Sequence, residues 1–149
     1  MKSSERNTMQ VRIYSPEGLV YDHQALSCSV RAVDGGMTLL PNHAPILVPL
    51  DISVVKVIRQ NEGQERNYIA ISGGVLEMRQ NQIEIIANSA IRGRDIDENM
   101  VASERQKAEQ DMQEALASHD DVAFKKAKIE LDRAMNKISA VRRRSRYRK

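Results

Sequence analysis

Apolar and polar residues alternate with period two through the first ninety residues and recur at helical spacing after them. Gln10-Val11-Arg12-Ile13-Tyr14 and Ser27-Cys28-Ser29-Val30-Arg31-Ala32-Val33 alternate. So do Ser53-Val54-Val55-Lys56-Val57-Ile58, Asn67-Tyr68-Ile69-Ala70-Ile71 and Gln82-Ile83-Glu84-Ile85-Ile86. Alternation of this kind turns one side of a strand to a core and the other to water. Pro16-Glu17-Gly18, Asp34-Gly35-Gly36, Asn61-Glu62-Gly63 and Gln80-Asn81 separate the runs as turns. All four prolines and six of the seven glycines precede Ser89. The pattern predicts an antiparallel β-sandwich of about ten short strands over residues 9–90.

From residue 95 to 145 the period changes to that of two helices. Asp95 or Asp97 is placed to cap the first, with Glu98 near the positive end of its dipole. Val101, Ala108, Met112, Ala115 and Leu116 form a thin apolar stripe. Ser118-His119-Asp120-Asp121 is the break, and either aspartate is placed to cap the second helix. Phe124, Ala127, Leu131, Ala134, Met135, Ile138 and Val141 form a second, stronger stripe. The short connection predicts an antiparallel hairpin, and its alanines predict close helix approach. The fold class is α+β: a sandwich followed by a two-helix hairpin whose shared seam is thin. Such a hairpin leans on the sandwich or on a partner, and is open to more than one position.

Composition narrows the chemistry. Apolar residues make up 41% and charged residues 29% of the 149, as in a globular chain. One Phe, four Tyr and no Trp leave the core to aliphatic residues. A single cysteine, Cys28, forms no internal disulfide. With a polar start at Met1–Thr8 that lacks a secretory h-region, it points to a reducing, cytoplasmic setting. No apolar run reaches the roughly 18 residues that span a bilayer. Neither a phosphate loop nor a G-x-G-x-x-G cradle is present. His23, His43 and His119 lack metal-ligand company. Cys28 in an alternating strand reads as a buried structural thiol. No nucleophile, base and orienting group converge, so the chain reads as a non-enzyme without metal or cofactor.

The net charge is +3, but Arg142, Arg143, Arg144, Arg146, Arg148 and Lys149 crowd the C-terminus without an acid. Such a cluster is either a solvated tail or a surface for an acidic partner. A basic nucleic-acid-binding module is the alternative reading. It leaves unexplained the shortage of aromatics for base stacking and the mild charge of the strand half.

Two local patterns stand apart. In Leu40-Pro41-Asn42-His43-Ala44-Pro45-Ile46-Leu47 two prolines bracket a residue type that tolerates positive φ. In Ile71-Ser72-Gly73-Gly74-Val75-Leu76-Glu77-Met78 paired glycines mark a bulge or a close backbone approach. The first closely resembles the L-P-G-H-A-P-L-L signature of the F-type ATP synthase epsilon subunit family, with Asn42 in place of glycine. The second resembles the same family's G-G signature. Ile85–Gly93 resembles its link from sandwich to helices, and Ile96-Asp97-Glu98 the start of its first helix.

The resemblance implies a non-catalytic central-stalk subunit at the cytoplasmic face of a bacterial membrane. Its sandwich would dock on the gamma subunit and the ring of c subunits. Its hairpin would extend toward the alpha and beta subunits and inhibit ATP hydrolysis. His43 belongs to the first signature, and Asp34 would be the ring-facing carboxylate. Arg133, Arg142, Arg143 and Arg144 would suit an acidic surface on the beta subunits. Membrane association would come only through the complex. Some relatives bind ATP through [IL]-D-x-x-R-A at the first helix. Here Ile96 and Asp97 are kept, but Met100 and Val101 replace Arg and Ala, and Ile91 falls where those relatives often carry Glu. Methionine supplies no guanidinium donors, so ATP binding is expected to be weak or absent.

Overall fold

Alternation builds the strands of a computed structural model that describes residues 7–146. They are β1 (Met9–Ser15), β2 (Gly18–Ala32), β3 (Gly35–Leu39), β4 (Ile46–Arg59), β5 (Arg66–Arg79), β6 (Gln82–Ala87) and β7 (Ala90–Arg92). A 3-10 turn, Gly93–Asp95, leads to α1 (Glu98–Ala117) and α2 (Asp121–Arg146). The strand order is β1-β6-β5-β4-β2-β3, and β1 also pairs with β2, which closes a five-stranded ring. β3 extends the ring beside β2, and β7 pairs with β5. Every pairing is antiparallel except β1 with β6, which is parallel. Inside the ring Val11, Ile13, Leu39, Val55, Val57, Ile69, Leu76, Ile83 and Ile85 are fully buried.

The sandwich therefore has seven strands among the described residues instead of about ten short ones, and one pairing runs parallel. The reason lies in two long strands whose alternation changes phase partway. In β4 the inward residues are Ile46, Val48 and Leu50, then Ser53, Val55 and Val57. In β5 they are Ile69 and Ile71, then Leu76 and Met78. The switch falls at Asp51-Ile52 on β4 and at Gly73-Gly74 on β5, which are neighbours because Leu50 pairs with Gly74 and Ile52 with Ser72. β6 and β7 share one register on β5 and break at Asn88-Ser89, at the same level. Here the strands turn the corner from one layer of the sandwich to the other. Gly74 has φ +157°, and a Cβ there would lie 2.4 Å from the Ile86 carbonyl oxygen. No side chain fits, so the glycine marks the close backbone approach that the paired glycines predict.

Asn42 takes φ 70°, and the β5–β6 turn residues Gln80 and Asn81 take φ 52° and 59°. The two turns are locked together. The Asn42 backbone N–H donates to Asn81 Oδ1 at 2.6 Å, and Asn81 Nδ2 donates to Asn42 Oδ1 at 3.1 Å. The proline-bracketed loop is thus fastened to a hairpin thirty-nine residues away.

Both helices are capped by side chains. Asp97 accepts from the N–H groups of Asn99 and Met100. At the other end of α1, His119 takes φ 56°. Its N–H donates to the Leu116 carbonyl and that of Asp120 to the Ala115 carbonyl, the paired bonds of a Schellman stop. Asp120 then caps α2 by accepting from Ala123 N–H at 3.0 Å. The seam is narrower than the predicted stripes. Val101, Ala108 and Ala115 of α1 are buried, as are Ala127, Ala134 and Val141 of α2. Each set recurs every seven residues, so small side chains line one seam and the helices need bury little else. Leu116 and Met135, which the stripes place inward, stand 61% and 47% exposed beside it.

The second half of α2 lies on the sandwich. Ala134, Ala140, Val141 and Ile138 pack with Val54, Ala70, Ile91, Ile96 and Val101. Asn136 Nδ2 donates to the carbonyls of Ser53 and Ile71 at 2.8 and 3.2 Å. Arg144 Nη1 donates to the Gly93 carbonyl at 2.7 Å. The hairpin is folded back on the strands.

Candidate functional site

The outer faces of β4 and β5 are apolar twice. Beyond the corner, Val54 and Ala70 meet α2. Before the corner, no described part of the chain covers the outward residues. Pro49 pairs with Val75, Val75 with Ile86, Ile86 with Tyr14 and Tyr14 with Leu19, so one apolar row crosses five strands. Leu47 stands at the β4 end of the next row, followed by Glu77, Glu84, Arg12 and Asp22. Ile86 and Leu47 are each 67% exposed, Leu19 53% and Val75 45%. Isolated exposed apolar side chains are ordinary, but a contiguous row beside a charged one has the form of a protein contact surface. The sequence patterns alone do not single out this row. Its trace there is apolar residues at both parities of a strand: Leu47 between Ile46 and Val48, Val75 beside Leu76, and Ile86 after Ile85.

The candidate residues of the sequence patterns are scattered around this surface. Asp34 is exposed at the tip of the β2–β3 turn, next to Val33, which is 59% exposed. His43 is exposed in the proline-bracketed loop, with its Nδ1 2.7 Å from the Ala44 carbonyl oxygen. Ile96 is buried in the seam between helices and sandwich. One Asp97 oxygen is engaged as the helix cap, and Met100 points to solvent at 64% exposure.

The arginines are mostly turned toward the chain itself. Arg133 donates to Glu130 at 2.8 Å. The Arg143 guanidinium lies 4.9 Å from the centre of the Tyr68 ring. Arg144 bridges Gly93 and Glu98. Arg142 is exposed. Arg148 and Lys149 lie outside the described residues.

The described residues assemble no reaction centre. Cys28 is fully buried, and burial pushes its thiol up to about 12, far from the thiolate a nucleophile needs. No group of three or more metal-ligating side chains occurs among the described residues, and no helix there is long and apolar enough to cross a membrane. Tyr21 is buried, donates to Asn67 Oδ1 at 2.7 Å, and has its hydroxyl ionisation pushed up by burial. Its ring carries Arg92 at 5.1 Å and His23 at 4.9 Å, a structural cluster at one end of the ring of strands.

Comparison with known proteins agrees with this architecture. Residues 8–93 match the model of the ATP synthase delta/epsilon chain β-sandwich domain. Residues 94–142 match that of the delta/epsilon chain long α-helix domain. The chain is 42% identical over 131 residues to the ATP synthase epsilon chain of Lactobacillus helveticus (strain DPC 4571), covering 87% of this chain and 90% of that one. In fold it is similar to a chain of the Euglena gracilis mitochondrial ATP synthase, from a structure of its OSCP/F1/c-ring in rotational state 1. That TM-score is 0.74 at 18% identity, over 90% of this chain and 81% of the other. The matches run through both halves in order, and the chain belongs to the ATP synthase delta/epsilon chain family.

Proposed function

We propose that this chain is a non-catalytic subunit of the central stalk of a rotary ATP synthase, and that the bare apolar row of its sandwich seats it against the rest of the stalk. The observation that carries this is the contrast between the two outer faces of β4 and β5. One is covered by α2, and the other, with Leu47, Val75, Ile86 and Leu19, is covered by no described part of the chain. Family membership supports a place in the ATP synthase complex, and the partners follow from this reading. The row faces the gamma subunit, and the turn bearing Asp34 lies toward the c-subunit ring. The complex holds the chain at the cytoplasmic face of the membrane.

The hairpin is the regulatory part in this reading. Its contacts with the sandwich are few and partly polar, so the docked state stands close in free energy to a released one. Released, it reaches the alpha and beta subunits, where Arg133, Arg142, Arg143 and Arg144 meet acidic groups and slow ATP hydrolysis. Weak or absent ATP binding at Asp97 and Met100 leaves partner contacts to set the balance.

The test is co-assembly. Ile86→Asp and Val75→Asp change side chains that face water in the free chain, so the purified variants are expected to keep their circular dichroism and melting behaviour. Each is expected to cut recovery of the chain with a gamma-containing complex about tenfold or more, as loss of a central interface residue does. Recovery at the unaltered level with both variants would overturn the assignment of this face.

A further inference from the structure

The sheet face that carries the bare apolar row differs between its two ends. Over β1 and β2 the polar side chains are closed on one another. Arg12 Nε lies 3.4 Å from Asp22 Oδ1, Gln10 Nε2 donates to the same oxygen, and Gln24 Nε2 donates to Gln10 Oε1 at 2.7 Å. Over β5 and β6 the same rows are open. Glu77 and Glu84 are direct cross-strand partners, Glu77 exposed and Glu84 half-buried. Among the described residues neither makes a salt bridge or a side-chain hydrogen bond. The nearest cations along the rows are Arg12, opposite Glu84 on β1, and Arg79, two residues from Glu77 on β5. Arg12 is turned to Asp22, and Arg79 is exposed and makes no ion pair with the described residues. Carboxylates directly opposite each other on neighbouring strands repel. The next outward pair on the same two strands is Val75 and Ile86, 45% and 67% exposed, and Leu47 stands across from Glu77 on β4. An unanswered acidic pair and a bare apolar pair thus lie side by side.

We propose that this β4–β6 end of the face is the centre of the docking patch, and that it takes a basic, apolar protein segment whose Lys or Arg sits between Glu77 and Glu84. Water screens the two carboxylates in the free chain. A partner that covers Leu47, Val75 and Ile86 displaces that water and strengthens their repulsion, unless it brings a cation with it. One guanidinium or ammonium set between them answers both charges at once through charge-assisted bonds. The closed network over β1 and β2 leaves no charge unanswered, so it forms the rim. A neutral or acidic surface meets the same patch at a cost, which gives the face selectivity as well as adhesion. The acidic pair weakens the sheet that carries it, as local rules broken at functional sites do. The identity of the partner, the gamma subunit, rests on the stalk reading above; the sign of its charge comes from Glu77 and Glu84.

The experiment compares Glu77→Gln, Glu84→Gln and the double variant of the full chain with the unaltered chain. Two quantities are read. One is the melting temperature of the free chain. The other is affinity for a gamma-containing complex prepared without this chain, at several chloride concentrations. Stability and binding are expected to part company. With the repulsion removed, the melting temperature of the double variant should equal or exceed that of the unaltered chain. Its affinity should fall about tenfold, the scale of one lost charged hydrogen bond, and should depend less steeply on salt. Gln24→Ala, in the closed network, is expected to leave affinity unchanged; a loss there as large as in the double variant would overturn the placing of the patch over β4–β6. Affinity that is unchanged or higher in the double variant overturns the cation. If Ile86→Asp then still abolishes co-assembly, the docking face stands and only its charge partner falls. If Ile86→Asp and the double variant both co-assemble at the unaltered level, the docking face falls with it.

Discussion

The strand half encloses large side chains completely, among them Tyr21, Met9, Ile13, Ile69, Leu76 and Ile85. The hairpin encloses chiefly alanines: Ala108, Ala115, Ala127, Ala134 and Ala140. Burying a large aliphatic side chain contributes about 1.5–3 kcal/mol, and a methyl group well under half of that. The two regions therefore differ in how much apolar surface holds each residue in place. The sandwich is a closed ring whose strands support one another. The hairpin is a narrow seam held by caps, by Asn136 and Arg144, and by one patch of α2 on β4 and β5. The difference teaches that one short chain joins a half held by many large buried side chains to a half that is only lightly fastened, which is the division the proposed docking and regulatory roles require.

This comparison can be broken most sharply at the corner. Gly74→Val places side-chain atoms where the Ile86 carbonyl and Ala87 backbone already stand. It is expected to destabilise the sandwich by more than about 3 kcal/mol, read from denaturant unfolding, and to carry the hairpin with it. Ala134→Leu overfills the seam where α2, α1 and the sandwich meet. A loss of about 1–3 kcal/mol of docking is expected. Amide exchange should speed up in α2 while β1, β4 and β5 keep their protection; equal loss in both halves would show that they unfold as one unit. Asp120→Ala removes the cap of α2 and is expected to cost about 1 kcal/mol, seen as lower helix content with the strands unchanged.

The smallest expected effect is in the strand half. His23 is held below its ordinary value of 6.5, first by burial and then by the charges of Arg59 and Arg92, against Asp22 and Glu65. The neutral ring is favoured in the folded chain. Above about pH 6.5 its contribution is fully present; as pH falls the unfolded chain takes up a proton that the folded one resists, and stability declines. Glu65 is held below its ordinary 4.5, first by the Asn67 hydrogen bond, so its contribution is lost only at more acid pH. In His23→Gln the slope of melting temperature against pH just below 6.5 should flatten, without change in the helical region.

The helical half is legible in its extent and its break, and its caps as pairs, Asp95 or Asp97 and Asp120 or Asp121, of which the structure uses Asp97 and Asp120, because capping is local. The strand half is legible in class and less so in detail. Asn42 and the paired glycines declare themselves through backbone demands that few residues meet. The long strands do not. Alternation that shifts by one residue at Asp51-Ile52 and Gly73-Gly74 reads as an interruption in one dimension, although the chain continues through a corner in three. Leu116 and Met135 mislead for a similar reason. Helical spacing defines a broad stripe, but a seam of small residues uses only its centre.

The parallel pairing of β1 with β6 also sets an order of events. Gln10 meets Gln82 and Tyr14 meets Ile86, so the ring closes only after nearly all of its strands have been made. β1 pairs early with β2 through the tight Ser15–Gly18 turn, while its other edge waits. Contacts so distant in sequence form slowly, because the intervening chain must be ordered first. During synthesis the open edge of β1 is exposed until β6 leaves the ribosome, and the platform that receives α2 is incomplete until then. A chain truncated before Gln82 is expected to aggregate, and one truncated after Arg92 to close. The fold thus forms from strands to helices in the direction of translation, and the helices dock only on a platform already closed.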